Sequence, residues 1–96
     1  MTVVHCRKHS YTHYIGRPSP FGNRFSHLVS HVPGTIKVDT REQAIAMFEK
    51  NARRNARLLA LIKALPEDAV LGCWCRPDSC HGDVIITLWK ELHGKS

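Results

Sequence analysis

The chain has 96 residues, of which 43% are apolar and 23% charged, an ordinary globular balance that excludes a disordered, fibrous or repeat-built protein. Fourteen Lys and Arg against eight Asp and Glu leave a net charge of +6, which serves solubility or draws polyanions such as nucleic acid, nucleotides or acidic proteins. The apolar runs are only a few residues long and MTVVHCRKHS lacks a hydrophobic signal core, so a cytoplasmic single domain over 1–96 without a membrane segment is expected.

In chain order, Thr2 to Cys6 is short and rich in β-branched residues and reads as a first strand. From His9 to about Gly34 the pattern dissolves into Tyr, His, Ser, Gly and Pro. A long structureless stretch inside a small domain is usually functional or disordered. Thr35 to Val38 reads as a short extended piece. Thr40 with Gln43 has the form of a capping box and opens a helix. Its apolar stripe of Ile45, Phe48, Ala52, Leu59 and Ile62 runs to Pro66, with a polar break marked by Asn51 to Asn55. Arg41, Lys50, Arg53, Arg54 and Arg57 lie mostly off the stripe and predict a basic face. Ala69 to Cys75 is a compact apolar run between two prolines, a buried strand in which Cys73 and Cys75 share one face and Trp74 takes the other. Val84, Ile85, Leu88, Trp89 and Leu92 mark a last helix, for which Asp78 or Ser79 is a good N-cap. Val4, Ile45, Phe48, Leu59, Ile62, Val70, Leu71, Ile85, Leu88 and Trp89 are the predicted core.

This order predicts a small α/β layer with a short parallel sheet and two or three helices. Ligands in such sheets sit beyond the carboxyl ends of the strands. The loop after Cys6 and the turn GCWCRPDSCHGD both leave such ends, so they are expected to face each other across one site.

That turn holds three of the four cysteines and one of the seven histidines. Cytosolic thiols stay reduced, so the cluster points to metal or reactivity before a disulfide. In the metal reading, Cys73, Cys75, Cys80 and His81 are zinc ligands, or the site is completed from elsewhere by Cys6, His5 or His27, although the spacing is not that of a paired zinc knuckle. In the reactive reading, Cys80 lies in the first turn of a helix whose positive end favours the thiolate, with His81 as base or proton carrier and Asp83 as orienting or acidic group. In the anion reading, the free N–H groups of the helix start, with Gly82 and Arg76, cradle a phosphate or carboxylate, and Arg7 and Arg17 add charge from the opposing loop. The plainest reading makes Cys73, Trp74 and Trp89 core residues and lets Gly16 and Gly22 serve turns. Strand alternation and the intervening Pro77 argue against one metal gathering all four residues, so an activated Cys80 is the expected outcome.

The segments VVHCRK, YIGRPSPFGN and GCWCRPDSCHGD together resemble a family of small bacterial and phage proteins known only as a domain of unknown function. The resemblance covers nearly the whole chain. It supports the α/β fold and marks Arg7, Gly16, Arg17, Gly22, Asn23, Cys73, Cys75, Pro77, Cys80, His81, Gly82 and Asp83 as motif positions, but it implies no reaction. The expected function is binding of an anionic, nucleotide-like or nucleic-acid ligand between the two loops, with thiol chemistry at Cys80 and His81. The alternative is a zinc-stapled module that binds nucleic acid or a host protein through its basic helix face without catalysis.

Overall fold

The structure, a computed structural model, describes residues 1–17, 19–28, 34–75, 78 and 80–94. The elements run β1 (Thr2–His5), β2 (His13–Tyr14), β3 (Phe25–Ser26), β4 (Ile36–Lys37), α1 (Arg41–Arg53), α2 (Ala56–Lys63), β5 (Val70–Cys73) and α3 (His81–Leu92). They form the expected α/β layer. β5 is the central strand of a sheet ordered β1-β5-β2, parallel to both neighbours, and β3 and β4 make a separate parallel pair.

The long loop departs from its structureless reading because it supplies β3 and, in the main sheet, β2, each a strand of two residues and too short to show alternation. Thr12 fixes β2 to β5: its backbone N–H donates to the Val70 carbonyl at 2.9 Å, and its Oγ1 accepts the Val70 N–H at 2.9 Å. Between β1 and β2 the chain crosses the face of β5, and Tyr11 lies directly over Gly72. A Cβ built on Gly72 would stand 2.6 Å from the Tyr11 ring, so this crossing requires a residue without a side chain.

The helices begin where local chemistry places them. Thr40 caps α1 by accepting the Gln43 N–H at 3.0 Å, while Gln43 Oε1 accepts the Asp39 N–H at 2.9 Å rather than that of Thr40. Asn55 caps α2 through the Leu58 N–H at 3.1 Å, which makes the polar break real and resets the helical phase. Leu58 therefore enters the core and Leu59 is only half-buried. Of the other predicted core residues, Phe48, Ile62, Leu71, Ile85, Leu88 and Trp89 are buried, while Val4, Ile45 and Val70 are half-buried. α3 starts later than expected, with Cys80 as its N-cap in place of Asp78 or Ser79; Ser79 lies outside the described residues.

Polar contacts at the helix ends complete the packing. Trp89 Nε1 donates to the Leu65 carbonyl at 2.8 Å and His93 Nε2 to the Lys63 carbonyl at 2.9 Å, tying α3 to the end of α2. Arg53 grips Glu91 with two nitrogens at 2.8 and 3.2 Å and Glu49 with a third at 2.9 Å, joining α1 to α3. The expected basic face is thus partly neutralised, with Lys50, Arg54 and Arg57 left exposed on it. Among the described residues no helix is long and apolar enough to cross a membrane.

α3 lies close against the sheet at its first turn, where a Cβ on Gly82 would come 2.7 Å from Val3 Cγ2 and 2.9 Å from Ile15 Cδ1. Overpacking a tight contact of this kind costs about 1–3 kcal/mol. Gly82→Val is therefore expected to lower the denaturation midpoint without changing the denaturant slope, as urea unfolding followed by circular dichroism would show.

Candidate metal centre and ligand pocket

The cysteine cluster is assembled from the end of one element and the start of the next. β5 directs Cys73 into the core, where it is 1% exposed, and alternation turns Trp74 outward and Cys75 back toward Cys73. The chain then reaches Cys80, also 1% exposed, at the N-cap of α3. An N-cap side chain bends back over its own helix start, and the Cys80 sulfur accepts the Gly82 N–H at 3.3 Å. The same sulfur lies 3.0 Å from Cys73 Sγ and donates its proton toward it. As a result the sulfurs of Cys73, Cys75 and Cys80 all lie within 4.8 Å of one another.

The expectation against one ion gathering the four residues is therefore corrected for the three thiols, while His81 is not part of the converging group. It overlooked the inward turn of a side chain at an N-cap. Zinc at about 2.3 Å from each sulfur would set the sulfurs about 3.8 Å apart, so the Cys73–Cys80 pair would open by about 0.8 Å. The donor set fits a thiophilic ion.

The electrostatics also reverse the expectation for Cys80. Its thiol is pushed well above the ordinary cysteine range, first by Cys73 and Cys75 beside it and then by burial, while the Gly82 N–H pulls the other way. Cys75 is raised too, chiefly by Cys73, with Cys80 and the Arg41 charge opposing. Three acids packed together resist ionising one after another, and that effect outweighs the helix start. A bound cation inverts this balance and deprotonates coordinating thiols.

His81 is buried and directs Nε2 to the Ile15 carbonyl at 2.8 Å. A carbonyl only accepts, so Nε2 carries the proton and Nδ1 faces Cys80 Sγ at 3.5 Å as a bare acceptor. Burial holds the imidazole below its usual range, and the Phe48 ring packs edge-on at 4.9 Å. The group that orients His81 is thus a backbone carbonyl. Asp83 turns Oδ2 toward the Cys80 N–H at 3.4 Å and closes a capping box.

A cavity of about 390 Å³ opens over the cluster, and both expected segments form its walls. Cys73, Cys75, Cys80 and His81 line it from the turn, and Gly16, Arg17 and Asn23 from the loop. Asn23 is committed to structure, donating to the Ala44 carbonyl at 3.0 Å and accepting the Phe25 N–H at 2.9 Å. Arg17 is different: its Nη1 is buried and has no hydrogen-bond partner among the described residues. Arg7, Gly22 and Gly82 do not line the cavity. Arg76 and Pro77 lie outside the described residues.

Sequence reasoning missed Tyr14, Arg41 and Trp74, which also line the cavity, as does His27, one of the residues expected to complete a metal site from elsewhere. Arg41 arrives from the first turn of α1 and pairs with Asp78 at 3.5 Å. Trp74, read as core, is 53% exposed. The alternation that sends Cys73 and Cys75 inward already implied this.

Comparison with known proteins agrees with the resemblance seen in the motifs. A model of the family described as Domain of unknown function (DUF4326) matches residues 4–91. The chain belongs to this family. It is also 38% identical over 56 residues to the "Uncharacterized 12.4 kDa protein in nrdA-td intergenic region" of Enterobacteria phage T4, an alignment spanning 55% of this chain and 52% of that protein. The aligned part is thus about half of the phage protein's length. No solved structure matches.

Burial and exposure give each thiol a distinct expected reactivity in metal-free protein. Cys6 and Cys75 are half-buried, whereas Cys73 and Cys80 are buried. Alkylation near neutral pH, read cysteine by cysteine by mass spectrometry, is expected to modify Cys6 and Cys75 first and to reach Cys73 and Cys80 only on unfolding. Fast selective labelling of Cys80 would instead restore the activated-thiolate reading.

Proposed function

We propose that this protein is a zinc-binding domain in which Cys73, Cys75 and Cys80 hold the ion at one wall of a pocket for an anionic, nucleotide-like ligand. The observation that carries the reading is the convergence of three sulfurs within 4.8 Å on the wall of a cavity of about 390 Å³. Soft thiolates select zinc and other thiophilic ions over magnesium or calcium. Closed structural zinc sites take four protein ligands, whereas three, the number that converge among the described residues, leave a position for water or a ligand. Arg17 supports the anionic ligand, because it brings a cationic side chain to the residues that line the cavity. The setting is a reducing cytoplasm, where free thiols persist.

Two rival readings account for less. A nucleophilic Cys80 needs a lowered thiol pKa and access, and its surroundings provide neither. A module that binds nucleic acid or a host protein through the face of α1 would draw on Arg53, which is occupied by Glu49 and Glu91, and on Arg41, which stands in the pocket with Asp78.

Elemental analysis of protein purified without added metal is the direct test, with about one zinc per chain expected. Cys75→Ser is expected to release the metal while leaving a folded chain, since Cys75 is the least buried of the three. A strong chelator is expected to lower the melting temperature of the wild type far more than that of the variant. Protein that carries no zinc and develops no thiolate-to-metal absorption on titration with cobalt(II) would overturn the reading.

A further inference from the structure

Trp74 poses a problem that the metal centre does not solve. It directly follows a buried strand, yet it is 53% exposed and lines the cavity. It is also held firmly. Nε1 donates to Tyr14 Oη at 2.7 Å, and Tyr14 Oη donates in turn to the Arg17 carbonyl at 3.3 Å. His5 packs against the indole edge-on at 5.8 Å, and the Arg7 guanidinium stands 5.8 Å from the ring centre. Arg7 does not line the cavity.

A large aromatic side chain whose one polar atom is satisfied, and whose orientation is fixed by its edge, offers a flat surface at low entropic cost. The same hydrogen-bond chain that fixes Trp74 ends on Arg17, a cation that lines the same cavity. Aromatic surface and cation thus face one cavity of nucleotide scale. Every nucleobase has a π-face that stacks on such a surface, and guanidinium is well suited to phosphate.

Building on the pocket reading above, we propose that Trp74 is the stacking platform for a nucleobase, with Arg17 holding the phosphate of the same nucleotide unit. The unit is either a free nucleoside monophosphate or one residue of a single strand, which share this chemistry.

The test uses the zinc-loaded full chain with deoxyadenosine monophosphate, adenosine, ribose 5-phosphate and a short oligodeoxyadenylate, followed by calorimetry and tryptophan fluorescence. The monophosphate or the oligonucleotide is expected to bind and to quench the exposed tryptophan, leaving buried Trp89 emission in place. Trp74→Ala is expected to weaken binding about tenfold or more, and Trp74→Phe to retain most of it. Arg17→Gln is expected to weaken the phosphorylated probes and leave adenosine unchanged. Melting temperature and zinc content confirm that each variant is folded. If only the oligonucleotide binds, with the same dependence on Trp74 and Arg17, the source is a single strand and the proposal stands. It is overturned if Trp74→Ala binds as tightly as the wild type, if ribose 5-phosphate binds as well as the nucleotide, or if zinc-loaded protein binds none of the probes. The last result would leave the metal reading intact, whereas absence of zinc would remove that reading itself.

Discussion

Everything around the candidate site depends on the double duty of Cys80, which caps α3 and places a sulfur against Cys73. As a cap it is a weak choice, because Ser, Thr, Asp and Asn supply oxygen acceptors that bind the helix N–H groups better than a thiol does. Its contact with the Gly82 N–H is correspondingly long, and Asp83 strengthens the helix start from the other side by accepting the Cys80 N–H. Capping therefore does not explain a cysteine here. The sulfur's position beside Cys73 and Cys75 does, and this links the first turn of α3 to the end of β5.

That link sets the pocket walls as well as its floor. His81, next in sequence, ties the helix start to the Ile15 carbonyl at the end of β2, and Gly82 lets the same turn settle on Val3 and Ile15. Ile15 in turn hangs from β5, its N–H donating to the Gly72 carbonyl at 2.9 Å. Two residues later comes Arg17, whose carbonyl receives Tyr14 Oη and, through it, the indole of Trp74. Cluster, loop and tryptophan are thus one connected unit. The helix start and the wall of the cavity are joined by short, specific contacts.

The parts of this arrangement that were legible in the sequence are those with a period or a cap of familiar chemistry. β1, β5, both halves of the broken helix and the apolar side of α3 follow from spacing, and the meeting of the two loops follows from parallel topology. What escaped has a physical cause in each case. β2 is two residues long and carries no alternation, so only its Thr12 clasp on Val70 defines it. The start of α3 was placed on Asp78 or Ser79 because propensity ranks those side chains above a thiol, and that shift hid the return of Cys80 to the core. Arg41 looks like any cation early in a helix, and nothing in its spacing shows that it reaches the pocket. Trp74 was misplaced by a general preference of aromatic residues for cores, although the inward cysteines on either side already pointed it outward.

The two pocket arginines are not equivalent, and the difference bears on how an anion and a thiolate-rich centre can share one cavity. Three thiolates around a divalent ion leave excess negative charge, which by itself repels an anionic ligand. Arg41 answers that charge locally: it pairs with Asp78 and acts on Cys75, where it favours the ionised thiol. Arg17 lies near His81 on the loop wall, and no ion-pair partner is found for it among the described residues. In the proposed reading one arginine balances the metal centre and the other is left to the ligand. The proposed phosphate then sits on the loop wall away from the sulfurs, and the proposed base on Trp74.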